Sequence, residues 1–253
     1  MSAANVHPHQ KRKPSRFKKH YRGTAPSAFG ACGIVSLRDY FTDRYDHLPW
    51  VKEMKRLDIT TMSNPQLSGK RNVKNCSVAC AARLVHYWRE KGVIHTEDPI
   101  DEIYRRSERI AVRYGYRDTR GLRAFYIDDL CKKLFSTYGV DTVCKGIYRW
   151  DFKKDLKPEI DAGRPVILNI ASGYYHNHSL IVTGYIIYHP NRSPDLTKRT
   201  ARFKPDHEWV LLIIADGWSP QPRFLDLGAF NKEFPTFGLS SLNTVRLIAP
   251  TAE

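Results

Sequence analysis

A chain of 253 residues with 42% apolar side chains has room for one well-filled core, so a single catalytic domain with tails is favoured over two domains. No apolar run reaches the roughly 20 residues that a membrane-crossing helix needs, and no repeat, collagen period or heptad pattern organises the chain. Five cysteines (Cys32, Cys76, Cys80, Cys131, Cys144) are too few and too odd in number for a disulfide framework, which makes a reducing compartment the default.

The net charge of +15 is spread unevenly. Residues 1–23 hold seven basic side chains (Lys11, Arg12, Lys13, Arg16, Lys18, Lys19, Arg22) and no acid. Such a stretch is expected to be disordered. It suits nucleic acid or another acidic partner as well as it suits a solvated tail. The remaining net charge of about +8 on the folded part favours acidic partners without identifying one. No apolar segment follows the basic run, which continues through His20, Tyr21 and Arg22 to Pro26. A secretory signal peptide is therefore not expected, and a cytoplasmic location is the default. Residues 1–32 read as tail and linker, and residues 33–250 as the domain.

Helical spacing over Ser36–Tyr45 (Leu37, Tyr40, Phe41) is interrupted by Pro49. Ser63–Lys74 is polar and reads as a loop. A helix is expected from Asn75/Cys76 to Lys91, with Val78, Ala81, Ala82, Val85 and Trp88 on one stripe and Gly92 as its stop. Further helices are expected over Ile100–Tyr114 and Leu122–Thr137. The pattern then changes. Val140–Tyr148 reads as a strand, Asp151–Ala162 as a short helix, and Pro165–Ile170, His178–Tyr188, Trp209–Asp216 and Val245–Ala249 as strands rich in Val, Ile, Leu and Tyr. Arg223–Leu227 adds a short one. Helices followed by strands predict an α+β fold, with N-terminal helices packed on an antiparallel β-sheet.

Cys76 stands at a predicted helix start, where unpaired N–H groups and the helix dipole lower a thiol pKa. Cys80, one turn on, lies among alanines, and Cys131 and Cys144 read as small core residues. His178 opens a very apolar strand. If His178–Tyr188 and Trp209–Ala215 form an antiparallel hairpin with its loop over Pro190–Asp206, the start of the first lies beside the end of the second. His178 and Asp216 then become neighbours. Asp216 can accept from one imidazole nitrogen and leave the other to face a thiol.

The order Cys…His…Asp, with the segments Asn75-Cys76-Ser77-Val78-Ala79-Cys80, Gly163-Arg164-Pro165-Val166, Asn177-His178-Ser179-Leu180-Ile181-Val182-Thr183-Gly184-Tyr185 and Ala215-Asp216-Gly217-Trp218, resembles the papain-like cysteine peptidases, in particular the bacterial C39-like group. The resemblance spans roughly Gly33–Pro250. It implies a papain-like fold, hydrolysis of a peptide or protein substrate through Cys76, His178 and Asp216, and no cofactor. It also implies that Trp218 shields the His178–Asp216 contact and that a glutamine before the nucleophile serves the oxyanion. Gln66 is the only glutamine in the preceding loop, with Asn72 or Asn75 as substitutes. Three rivals remain: a transglutaminase-like or other acyltransferase with the same triad, a zinc site from Cys76, Cys80, His176 and His178, and an inactive basic binding module.

Overall fold

The computed structural model describes residues 33–38, 40–41, 49–60, 62–70, 73–171, 177–189, 208–228 and 240–248. Its elements in chain order are β1 (Val51–Arg56), α1 (Asn64–Ser68), α2 (Cys76–Glu90), α3 (Ile100–Arg113), α4 (Ile127–Ser136), β2 (Thr142–Ile147), α5 (Lys157–Asp161), β3 (Val166–Ile170), β4 (His178–Tyr188), β5 (Trp209–Ala215), β6 (Arg223–Asp226) and β7 (Ser240–Leu247). The architecture is α+β. Six strands run in the order β2-β7-β3-β4-β5-β6, and β1 adds to β4. Every pairing is antiparallel. None of the helices among the described residues is long and apolar enough to cross a membrane.

Alternation along the strands divides the core between the two faces of the sheet. Ile167, Ile181 and Val245 pack with α2, α3 and α4 through Val78, Ala82, Val85, Ile103 and Leu130. Val166, Leu168, Leu180, Val182 and Leu212 point the other way, onto Tyr40, Phe41, Leu57 and Leu156. Each such Leu or Ile stabilises the fold by about 1.5–3 kcal/mol relative to an exposed position. Every residue of α2 from Ser77 to Val85 is buried. The small alanines of this stretch let α2 approach the sheet closely.

The eleven residues of β4 are all buried, and this strand is the node of the sheet. Its first half pairs with β3, from Ile170↔His178 to Val166↔Val182. Its second half pairs with β1, from Gly184↔Arg56 to Tyr188↔Val51. The opposite edge carries β5, whose register shifts between Val182 and Gly184. A Cβ at Gly184 would lie 2.2 Å from the Lys55 carbonyl oxygen, so β1 can cross here only over glycine.

Several elements depart from the sequence expectations. Ser63–Lys74 is not all loop. It contains α1, held by a capping box between Ser63 and Gln66, with a proline in its first turn and Gly69 (φ 65°) as C-cap. β1 was not expected, because Val-Lys-Glu-Met-Lys-Arg carries four charges in six residues and is exposed along most of its length. Pairing with β4 makes it a strand. Leu122–Thr137 divides into a 3-10 turn at Ala124–Tyr126 and α4. Asp151–Ala162 divides into a π turn at Phe152–Leu156 and α5, which has a proline in its first turn. The last strand begins at Ser240 rather than Val245, its polar first half pairing with β3. Helical backbone is present at 37–38 and 40–41; residue 39, residues 42–45 and the Pro190–Asp206 loop lie outside the described residues.

Candidate active site

Cys76 is the first residue of α2, and its thiol is partly buried. Asn75 precedes it as N-cap but makes no side-chain cap; its amide donates instead to the Tyr104 hydroxyl at 3.0 Å. The N–H groups of the first turn, which a helix leaves without intrahelical partners, therefore remain at the sulfur's end of the helix. His178 opens β4 with only 5% of its surface exposed. Asn177, just before it, has φ 36°, a left-handed conformation that asparagine tolerates better than most residues. This turn swings the chain into the strand and brings the imidazole to the sulfur.

The Cys76 thiol and the His178 ring adjoin, each shifting the titration of the other. The second ring contact defines the tautomer. Nε2 lies 2.7 Å from the main-chain oxygen of Asp216. A carbonyl can only accept, so Nε2 carries the hydrogen and Nδ1 is left for the thiol. Trp218 stacks on the imidazole, with ring centroids 4.1 Å apart and planes 26° from parallel.

Asp216 therefore meets His178, but through its backbone and not through the carboxylate that the sequence suggested. The carboxylate is fully buried. Oδ1 accepts from the N–H groups of Trp218 (2.9 Å) and Ser219 (3.1 Å). Oδ2 is buried with no hydrogen-bond partner among the described residues. The cause is local. Asp216 stands one residue beyond β5, where the chain reverses at Gly217 (φ 76°), and a short acidic side chain at such a turn bonds the N–H groups that follow it. Asn64 closes the turn from outside: its N–H donates to the Gly217 oxygen at 2.6 Å. A Cβ at Gly217 would lie 2.3 Å from Asn64 Oδ1.

Burial by itself would raise the Cys76 thiol, but the hydrogen bond to His178 and the charge of its ring outweigh burial, with help from the Ser179 N–H, and bring it down to about 7. For His178 burial pulls downward. The bonds to Cys76 and Asp216 reverse this and hold the imidazole above its ordinary value. Desolvation pushes the Asp216 carboxyl up against the N–H groups of Trp218 and Ser219. Burial raises Cys80 to about 12 and also lifts Cys131 and Cys144. Among the described cysteines, Cys76 is the one made more acidic. Cys32 and His176 lie outside the described residues. Within the described ones, no three His, Cys, Asp or Glu side chains converge as they would around a metal.

Gln66 has a different place from the one expected. It is exposed, and its side-chain oxygen accepts from the Ser63 N–H (2.8 Å) and hydroxyl (2.9 Å). Asn72 lies outside the described residues. Sequence reasoning passed over Asn64, Ser77, Ser179 and Arg83. Arg83 is 1% exposed, two helical turns from Cys76 on the same face of α2, and donates to the Met62 carbonyl. An arginine inside an apolar helical run was a readable signal, because a buried cation requires a partner. Ser77 and Ser179 follow Cys76 and His178 directly, and their hydroxyls are 2.8 Å apart.

Comparison with family models matches residues 57–194 to the Peptidase_C39 like family. The matched span contains Cys76 and His178 and stops short of Asp216. No curated protein matches the chain.

Proposed function

The chain belongs to the Peptidase_C39 like family, and on that footing we propose that it hydrolyses peptide bonds through Cys76 and His178, with Asp216 orienting the imidazole. The observation that carries this reading is the thiol at a helix start, in contact with a histidine whose far nitrogen is fixed by a carbonyl and whose face is covered by Trp218. A thiol near 7 is substantially thiolate at neutral pH, and a thiolate is the effective nucleophile.

In this scheme the Cys76 sulfur attacks the scissile carbonyl carbon of a peptide or protein substrate, and its electron pair forms the S–C bond. The oxygen becomes an oxyanion facing the Cys76 N–H at the start of α2. Collapse expels the amine, which takes its proton from His178 Nδ1. Water then attacks the acyl-enzyme, giving one proton to His178. The carboxylic acid leaves, and the sulfur is regenerated as thiolate. Throughout, the Asp216 carbonyl holds Nε2–H so that Nδ1 faces the reacting atoms, and stacked Trp218 keeps water from that bond. Acyl transfer to an amine uses the same chemistry and differs only in what attacks the acyl-enzyme.

The test is hydrolysis of a quenched-fluorescence peptide library by wild type and Cys76→Ala, with and without an added primary amine. Wild-type cleavage that falls to background in Cys76→Ala is expected. Full activity in that variant would overturn the scheme. Product that goes to the amine in preference to water would make the protein an acyltransferase.

A further inference from the structure

A row of buried polar side chains lies between α2 and the sheet and ends beside the dyad. Ser179 follows His178 on β4, and Asn169 is its partner across the ladder on β3. Ser241 is the partner of Asn169 on β7. Ser77 (3% exposed), Ser179 (6%), Asn169 (6%) and Asn243 (2%) are all buried on the face covered by the helices. Alternation elsewhere fills that face with Ile167, Ile181 and Val245. Such groups are costly to bury unless each is bonded, and here each is.

The donors in this row can be assigned from one end. Asp128 on α4 presents a carboxylate oxygen to Asn243 Nδ2 at 2.6 Å. An ionised carboxylate only accepts, so the amide nitrogen of Asn243 faces it and the amide oxygen faces inward. That oxygen accepts from Asn169 Nδ2 at 2.5 Å, and Asn169 Nδ2 also reaches Ser241 Oγ at 3.2 Å. The Asn169 oxygen is thereby turned to Ser179, whose hydroxyl donates to it at 2.7 Å. With its one hydrogen committed, Ser179 can only accept from Ser77, at 2.8 Å. The direction runs without a break from the residue after Cys76 to Asp128.

We propose that Ser77 and Ser179 are positioning residues: this directed chain, anchored on Asp128, fastens the start of α2 to the start of β4 and so sets the contact between Cys76 and His178. The inference rests on the peptidase reading and deepens it. Cys76 and His178 lie on different elements, and the chain is a polar bond between those elements one residue away from both. A hydrophobic contact there would leave the helix free to slide. A hydrogen bond of defined direction holds one register.

The groups that bear on the sulfur are His178 and the Ser179 N–H from β4, and Cys80 and the Ser77 hydroxyl on α2 itself; of these the test removes only the Ser77 hydroxyl, so Ser179→Ala alone, which leaves that hydroxyl in place, separates positioning from a direct effect on the sulfur. Cys76 in the full chain is alkylated with limiting iodoacetamide from about pH 5 to 10, mapped by mass spectrometry, and melting temperature is followed in parallel. Ser77→Ala is expected to move the alkylation midpoint up by about one pH unit, a tenfold loss of thiolate at a given pH. Ser77→Thr, which keeps the hydroxyl, is expected to restore it. Ser179→Ala alone, which leaves the Ser77 hydroxyl and the Ser179 N–H in place, is expected to move the midpoint up as well, and adding it to Ser77→Ala is expected to shift it no further, because Ser179 acts through Ser77; a midpoint unmoved in Ser179→Ala would overturn the inference. A lowered melting temperature with the midpoint unmoved would show a merely structural bond and overturn the inference, as would a full additional shift from Ser179→Ala. A wild-type midpoint already near the free-thiol value of about 8.5 would overturn the peptidase reading itself. A lowered wild-type midpoint that Ser77→Ala leaves in place overturns only the positioning role.

Discussion

Asp216→Asn separates a main-chain orienting role from a carboxylate one. Asparagine keeps an Oδ1 to accept from Trp218 and Ser219, and the backbone oxygen that holds His178 Nε2 is untouched. Only the negative charge is lost. That charge is fully buried and lies behind the carbonyl, not on the ring. Its support for an imidazolium is therefore less than that of a direct charge-assisted bond, which exceeds a neutral one by about 1 kcal/mol. A loss of no more than about fivefold in kcat/KM follows, the equivalent of about 1 kcal/mol. Where a carboxylate binds the catalytic imidazole directly, the same change costs about 10⁴-fold. Asp216→Ala should be much worse than Asp216→Asn, because two N–H groups of the turn lose their acceptor at about 1–3 kcal/mol each and Trp218 loses its hold on the ring. The assay is kcat/KM on a cleaved peptide, with folding checked by near-UV dichroism. A folded Asp216→Asn enzyme that loses about 10⁴-fold would refute the main-chain role and return the carboxylate to the imidazole.

Three further outcomes can be checked. The thiolate–imidazolium pair is gained as pH rises through the lowered Cys76 value, about 7, and lost as pH rises through the raised His178 value. A bell-shaped profile of kcat/KM is expected, whose limbs belong to the pair as a whole. In His178→Ala the Cys76 alkylation midpoint should climb to about 8.5 or above; an unchanged midpoint would mean that His178 does not act on the sulfur. Gln66→Ala removes half of the capping box on α1, so a loss of helix stability of roughly 0.5–2 kcal/mol and less than tenfold in kcat/KM is expected. A loss of 10²–10³-fold in kcat would instead place Gln66 at the oxyanion.

Much of the site could be read from the chain alone, because its signals are local. A cysteine after a polar loop and before an alanine-rich apolar stripe marks a helix start. A histidine at the head of an unbroken apolar run marks a strand mouth. The hairpin argument needed only the lengths of two strands, and their register, Ile181 opposite Ala215, brings His178 to Asp216. What escaped depends on the third dimension. Whether Asp216 uses its carboxylate or its carbonyl is decided by the turn at Gly217 and by Asn64 pressed against it from a helix some 150 residues earlier in the chain. The serines beside Cys76 and His178 carry no pattern until α2 lies on β4. β1 was hidden for the opposite reason: four of its six side chains are charged, as suits an exposed edge, and its extended form comes from the partner strand.

The place of β7 has a consequence for how the protein comes into being. The last described strand to be synthesised does not lie at a margin of the sheet; it is inserted between β2 and β3. It also supplies Ser241 and Asn243 to the hydrogen bonds beneath the dyad. Until residues 240–247 have left the ribosome, β2 has no neighbour to bind, β3 has one bare edge, and Asn169 lacks the contacts that orient it. Pairings this distant in sequence form late in folding. A nascent chain that already displays Cys76 and His178 would thus carry an ordinary, sluggish thiol, and reactivity would arrive with the closing of the sheet. On the peptidase reading, a chain assembled in this order acquires its nucleophile only when its sheet is complete.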